Sequence, residues 1–511
     1  MIGTGVKAIA VVIIAAAIDS GCATVPLDNP KTYSEVMTDT ADTPLGRDVA
    51  GWRHAHDELS GFYPLSKGMD ALGVRLQLAK RAEKSIDLQS FLMKNDTAGR
   101  VIIKSLLKSG DRGVRVRLLL DDILTKTPDR MLLLLDQHEN IEVRIFNPIS
   151  RRGFWGLNFL TSFEQANRRM HSKSFTVDNQ ASVVGGRNMA DEYFQLKEDD
   201  FFEDFEVLAV GPIVGEISKS FDEYWNHSLA VPVDYFVSNK KNEDLVTARS
   251  EAIKQLEQTY DRVYTQAIKS NLLQDLIADR LPLIPADARL LSDSPDKLIN
   301  EISEEQMRLA NDLREVLLSA KEEVIVISPY YVPRNDGIQL LHNLTERGIR
   351  VVIVTNSLAS TNHVPVHSGY AKYRKDVIRA GAELYEVRAN AGRELGGSDD
   401  HPDLITLHTK VFLFDRRYMF VGSLNLDPRS VEINAEMGIL IDSPEFAGGM
   451  AEAVTEKLAT VTYSVVENSR GKLEWHAIIN GEDHIETKEP LTSWWLRFKA
   501  WFMKIVPDSQ L

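Results

Sequence analysis

The sequence is nearly without cysteine: Cys22 is the only one in 511 residues. An intrachain disulfide and a cysteine-built zinc site are thereby excluded. Positive charge is in deficit, with 59 Lys and Arg against 74 Asp and Glu and a formal net charge of −15. General polyanion binders carry a basic surface, so no nucleic-acid partner is expected, although a locally basic cleft is compatible with the balance. Long apolar runs are missing too. The run Ala8 to Ile18 behind Lys7 is shorter than the roughly 20 residues that span a bilayer. It has the layout of a secretory signal; a buried helix or an uncleaved anchor is the alternative.

Against these absences stands a repetition. Met170 to Asn188 reads MHSKSFTVDNQASVVGGRN, Leu407 to Asn425 reads LHTKVFLFDRRYMFVGSLN, and both fit H-x-K-x4-D-x6-G-x2-N. Two matches inside a longer repeat argue against coincidence: Arg112 precedes Arg347 by 235 residues and His171 precedes His408 by 237. In a strand alternate side chains share a face, so His171 lies with Lys173, and His408 with Lys410. Asp178 and Asp415 have the opposite parity and are expected to hold the strand end from behind. Imidazole beside ammonium suits a phosphoryl group, a nucleophile or acid next to a fixed positive charge. A strand with a solvated basic edge is the bland alternative, and the duplication counts against it.

Around the motifs the halves run in parallel. Leu72, Leu76 and Ala79 recur at helical spacing before the strand Ser85 to Met93, and VRVRLLLDD reads as a buried strand. Leu309, Leu313, Val316 and Ala320, then VIVISPYYV, then IRVVIVTNS repeat that order. This is a duplicated α/β unit rather than a solenoid. Asp121 and Asp122 invite a metal reading, because paired carboxylates bind hard cations, but Asp at a strand end is commonly a cap. Asn356 and Ser357 end a strand in the same way. Arg151, Arg152, Arg168 and Arg169 surround Phe154, Trp155, Phe159 and Phe163, which suits an amphiphile with an anionic head or an aromatic core helix with solvated arginines. Trp494, Phe498, Trp501 and Ile505 follow helical spacing with Arg497, Lys499 and Lys504 among them. Such a helix either lies in a membrane interface or packs on the body.

The paired motifs followed by GGRN and GSLN resemble the phospholipase D superfamily. DLQSFLMKNDTAG, RGVRVRLLLDD, SPYYVP, VTNSLASTNHVPVHSGYAKYR and GSLNLDPRS are similar to its bacterial cardiolipin synthase branch, especially the C-type members. The resemblance implies an α/β fold of two fused phospholipase D-like repeats. Each is a mixed β-sheet flanked by helices, in pseudo-twofold arrangement with one active site at the interface. The expected divisions are 1–22, a lipoprotein-type signal; 23–64, tether and capping segment; 65–231, repeat 1; 232–289, a helical connector; 290–465, repeat 2; and 466–511, a tail with the aromatic basic helix. The triplet ending in Cys22 resembles a lipobox, with Asp19 where Leu is usual. Lipidation at Cys22 would put the enzyme on a membrane of the bacterial envelope, on the periplasmic side.

By resemblance the catalytic residues are His171, Lys173, Asp178, His408, Lys410 and Asp415. Asn188, Asn425, Gly186 and Ser423 support them, and Asp204 is expected on the far nitrogen of His171, with Glu436 in the corresponding place for His408. His367 and Tyr370 are candidates for the head-group pocket. No metal and no cofactor are needed. One histidine attacks the phosphodiester to give a phosphohistidine and the other protonates the leaving alcohol. Resemblance favours His171 as nucleophile, an order that the sequence symmetry does not decide. The implied partners are phospholipid substrates and a membrane surface, with room for a protein activator. Transfer to phosphatidylglycerol gives cardiolipin, with phosphatidylethanolamine or a second phosphatidylglycerol as donor, and transfer to water gives phosphatidic acid. A non-catalytic membrane-binding lipoprotein is the remaining reading.

Overall fold

The computed structural model describes residues 29–56, 59–149, 167–197, 201–235, 257, 259–278, 280–392 and 404–508. Cys22 and the apolar run before it, Arg151, Arg152 and the aromatic residues at 154, 155, 159 and 163 lie outside them.

Helix α1 (Pro44–His56) leads into β1 (Ser60–Leu65), α2 (Gly68–Arg81), β2 (Ser85–Ser90), α3 (Thr97–Gly110), β3 (Arg115–Asp121), α4 (Asp129–Asp136) and β4 (Ile141–Phe146). The motif strands β5 (Ser174–Val177) and β6 (Ala181–Gly185) follow, then β7 (Phe201–Glu203), β8 (Glu206–Val210), α5 (Pro212–Asn226) and β9 (Ala230–Pro232). A connector containing α6 (Asn271–Ile277) reaches the second half. There β10 (Ile284–Ser292), α7 (Arg308–Ser319), β11 (Glu323–Ile327), α8 (Arg334–Glu346), β12 (Arg350–Asn356), α9 (Val364–Tyr370), α10 (Arg374–Arg379) and β13 (Glu383–Val387) repeat the order. Then come β14 (Ile405–Leu407), β15 (Val411–Phe414), β16 (Tyr418–Gly422), β17 (Met437–Asp442) and α11 (Pro444–Val461). The tail holds β18 (Thr462–Glu467), β19 (Leu473–Ile479), β20 (Glu482–Glu486) and α12 (Trp494–Met503).

In each half three strands are parallel, β2-β3-β4 and β11-β12-β13, and the motif hairpin adds antiparallel to the first of them. Alternating helices make that choice, since parallel neighbours need a crossover that covers the sheet face. β1 pairs with β8, β10 with β17, and β1 with β10. The halves thereby join edge to edge into one 18-stranded sheet. β1 and β10 are the first strands of their repeats, so the expected boundary at 65 falls on the last residue of β1 and that at 290 falls inside β10. The expected tail likewise contains strands that extend the sheet from β13.

Asp178 and Asp415 close the design. Each sits at a positive φ at the end of its motif strand. Asp178 accepts from the backbone N–H groups of Glu83, Lys84 and Ser85 at 2.8–3.0 Å, and Asp415 from Lys321, Glu322 and Glu323 at 2.8–3.1 Å. Each bond to a charged acceptor contributes about 1.5–3 kcal/mol. These aspartates pin the start of β2 and β11 to the motif hairpin.

Candidate active site

The histidines and lysines stand just before their strands, since β5 opens at Ser174 and β15 at Val411. Each histidine is fixed through the residue before it. Asp121 at the end of β3 accepts from Met170 N at 3.0 Å and Arg169 Nη1 at 3.1 Å. Asn356, at the matching end of β12, accepts from Leu407 N and donates to Leu407 O, at 3.0 and 2.9 Å. Asp122 accepts from Ile149 N. Asp121 is thus engaged by backbone and by Arg169, and Asp122 by backbone; no cluster of three or more potential metal ligands occurs among the described residues. Neither Asp121 nor Asn356 was expected at the site; their matching positions after equivalent strands were the available signal.

The two repeats then cross. Arg169 O accepts from Ala435 N, and His171 N donates to Ala435 O. On the other side β14 pairs parallel to β7, and His408 N donates to Glu203 O. Each histidine thus lies beside the carboxylate of the opposite repeat. His171 Nδ1 donates to Glu436 Oε2 at 2.8 Å, and His408 Nδ1 to Asp204 Oδ2 at 2.6 Å. This corrects the expected pairing of Asp204 with His171 and of Glu436 with His408. The physical reason is the inter-repeat backbone pairing, which brings residue 435 to residue 170 and residue 203 to residue 407.

The carboxylates are held differently. Ser423 Oγ donates to Glu436 Oε2 at 2.5 Å. At the matching position Gly186 leaves room for Asp204: an added Cβ would lie 2.2 Å from Asp204 Oδ1. Phe205 N donates to the same oxygen at 2.8 Å. Asn188 Nδ2 donates to Tyr193 Oη and Asn425 Nδ2 to Ser430 Oγ, while the Oδ1 atoms of both asparagines are buried without a protein partner.

The rings around the imidazoles were not foreseen. Phe91 meets His171 edge-on at 4.8 Å, whereas His408 lies between Phe202, stacked at 5.3 Å, and Tyr193, edge-on at 5.1 Å. Lys410 Nζ is 2.8 and 3.2 Å from the ring nitrogens of His408. Lys173 Nζ donates to His171 O and lies over the Phe91 ring. Burial disfavours charge here. It pushes His171 down to about 4 and, with the Lys410 charge, His408 down to about 3. Both imidazoles are neutral at pH 7. Burial also lowers Lys173 to about 7 and Lys410 to about 8. Burial works against ionised Asp204 and Glu436, but the histidine and lysine charges outweigh it and both carboxyls lie below their ordinary values.

Four expected residues are elsewhere. Asp178 and Asp415 are strand clamps, as described, and do not reach the histidines. His367 and Tyr370 belong to a buried charge network: Tyr370 Oη donates to Glu386 at 2.7 Å, His367 Nε2 lies 3.0 Å from Arg374 Nη2, and Arg374 also binds Glu386 and Glu489. Their polar atoms tie α9 to β13 and, through Arg374, to the tail. A loop histidine and tyrosine give no sequence signal of a buried arginine partner.

Residues 76–225 and 313–457 match the family described as "Cardiolipin synthase, PLD-like domain". Cardiolipin synthase C of Escherichia coli is 36% identical over 462 residues, 89% of this chain and 97% of that protein. Cardiolipin synthase A of Pseudomonas syringae is 24% identical over 398 residues, 76% of this chain and 67% of that protein. Among solved structures, phosphatidylserine synthase of Haemophilus influenzae aligns with a TM-score of 0.54 at 15% identity, covering 81% of this chain and 91% of that one, a likeness of fold.

Proposed function

The chain belongs to the phospholipase D-like family of cardiolipin synthases, and from that membership we propose that it transfers a phosphatidyl group between phospholipids to form cardiolipin. The observation that carries the reading is the pair of buried neutral imidazoles, each oriented through Nδ1 by the carboxylate of the other repeat. Holding Nδ1–H leaves the Nε2 lone pair as the reactive atom.

In the first half-reaction His171 Nε2 attacks phosphorus, the bond from phosphorus to the leaving head-group oxygen breaks, and His408 gives that oxygen a proton. A phosphatidyl-histidine results. In the second, a glycerol hydroxyl of phosphatidylglycerol yields its proton to His408 and attacks phosphorus as the P–N bond breaks. Among the described residues no hydrogen bond engages His171 Nε2, which supports it as the nucleophile. His408 lies against Lys410, whose lowered pKa of about 8 makes it a nearby proton source. An anionic phosphodiester between the rings favours the imidazolium that His408 needs. Lys173, Lys410 and the asparagine amides would meet the non-bridging oxygens as charge develops.

The tail supports a membrane-bound enzyme. On α12 Trp494, Trp495, Trp501 and Phe502 are more than half exposed, while Ala500 is buried. The helix is tied to the body on either side, by Glu489 to Arg374 and by Asp508 to Lys372 and Tyr373. An aromatic face with Arg497 and Lys499 beside it suits an interface of anionic lipid. Lipidation at Cys22 would anchor the other end on the periplasmic side of the envelope.

Lipid profiles of cells lacking cardiolipin test the reading. Cardiolipin is expected with the parent and is expected to be absent with His171→Ala and with His408→Ala. Phosphatidic acid rising alone would make the enzyme a hydrolase, and unchanged lipids would sink the catalytic reading.

A further inference from the structure

Under α11 lies a cavity of about 530 Å³, within the usual range for sites that take small ligands. Its walls are apolar and come from both repeats: Phe205 from repeat 1, Ile327, Val354, Val387 and Val411 on the sheet of repeat 2, and Met450 and Val454 on the helix. The exposed residues Glu445, Gly449 and Lys457 mark its mouth. Asp204 and Thr409, which flank His408, line the inner end, as does Glu203.

The other repeat provides an internal control. Asp121 pairs with Phe146 and Asn356 with Val387, so these strand positions correspond. Both helices open on a proline, Pro212 and Pro444. Counting from it, Phe221 corresponds to Ala453 and Trp225 to Lys457. In repeat 1 Leu119, Phe146, Phe221, Tyr224 and Trp225 form a closed cluster, with Phe221 stacked on Trp225 at 5.7 Å. In repeat 2 three large rings are replaced by Val, Ala and Lys, and the volume stays open. An apolar void of this size that reaches the surface favours apolar occupants.

We propose that this cavity holds one acyl chain of the phospholipid whose phosphate is at the histidines. The inference rests on the phosphatidyl-transfer reading, and it makes the two half-sites unequal: the chain-binding wall belongs to the His408 side alone.

The test compares the full-length parent with Ala453→Phe, at an exposed residue of α11 that lines the cavity, a change that restores the residue type of repeat 1. In mixed micelles, KM for dioleoyl phosphatidylglycerol is expected to rise about tenfold, the equivalent of roughly two methylenes losing their burial. Turnover of dihexanoyl phosphatidylglycerol is expected to stay unchanged. Equal effects on both lipids, or none on either, overturn the proposal. Val387→Phe narrows the cavity from the sheet side and is expected to give the same chain-length selectivity. Free oleate distinguishes the source: competition against the dioleoyl lipid that disappears in Ala453→Phe supports the shared apolar site. Oleate competition that persists while Ala453→Phe leaves dioleoyl kinetics unchanged overturns it. A pyrene-labelled phosphatidylglycerol bound to His171→Ala protein gives a readout without turnover. Its loss on adding Ala453→Phe supports the cavity even where the transfer reading fails, and undiminished binding overturns the cavity even where transfer stands.

Discussion

The half-sites share a motif and a carboxylate on each Nδ1 but differ in the side chains packed around them. His171 is held by a glutamate that a serine steadies, with one aromatic edge beside it. His408 is held by an aspartate packed on a glycine, lies between two rings, and has its lysine against the imidazole. Duplication therefore conserved the reacting groups and diversified their settings. A longer carboxylate needs a hydroxyl to fix it, and a shorter one needs a missing Cβ. Unequal settings suit the proposed two-step displacement, in which one imidazole is the nucleophile while the other moves protons.

Removing either imidazole gives the largest expected effect. His171→Ala and His408→Ala should each lower kcat by about 10⁴-fold or more, and the double variant should be no worse than the singles, because groups acting as one unit are not additive. A double variant that loses the product of the two effects would mean two independent sites. Next in size is a test of the crossed pairing. Changing Glu436 to Gln weakens the hold on His171, and Asp204→Asn that on His408, by about 1–3 kcal/mol of coupling within each true pair in a double-mutant cycle of denaturant unfolding. Coupling of His171 to Asp204 instead would break the comparison.

The motif made the reacting residues legible because it carries chemistry and spacing together. The doubled strand and helix pattern made two fused α/β repeats legible for the same reason: hydrophobic periodicity reports which face is buried. What it does not report is which copy a buried group faces. Asp204 and Glu436 were both identified, but their partners depend on the bridge between residues 170 and 435 and on β7 pairing with β14, contacts far apart in sequence. Tyr193 and Phe202 were unreadable as ring partners of His408 for that reason. Tyr370 looked available because its partner Glu386 is on a strand and its neighbour Arg374 on the next helix.

A smaller effect is expected where the carboxylates are steadied. Gly186→Ala crowds Asp204 and should lower kcat by roughly 100-fold, about 3 kcal/mol, or about half the free-energy loss from an imidazole. Ser423→Ala removes one hydrogen bond to a charged group, about 1.5–3 kcal/mol at most, and should lower kcat by roughly tenfold. A larger loss at Ser423 than at Gly186 would reverse the ranking of the two supports.

The smallest effect is the pH profile, and it separates the two lysines. Burial disfavours their charge, so each loses its proton as pH rises through a lowered pKa, Lys173 at about 7 and Lys410 at about 8. Burial is the main cause for both and Asp204 and Glu436 favour the charge on both, but only Lys173 is also lowered by the charge on the other lysine. The histidines, lowered to about 4 and 3, are already neutral in the free enzyme and set no limb of kcat/KM above pH 5. The profile of kcat/KM should therefore fall by a few-fold on the alkaline side between about pH 7 and 8. Lys173→Arg keeps its charge throughout that range, so the fall should move up to the Lys410 step near 8. An alkaline limb that begins above pH 9 in the parent would mean that both ammonium groups are solvated, and the two lysines would then be equivalent.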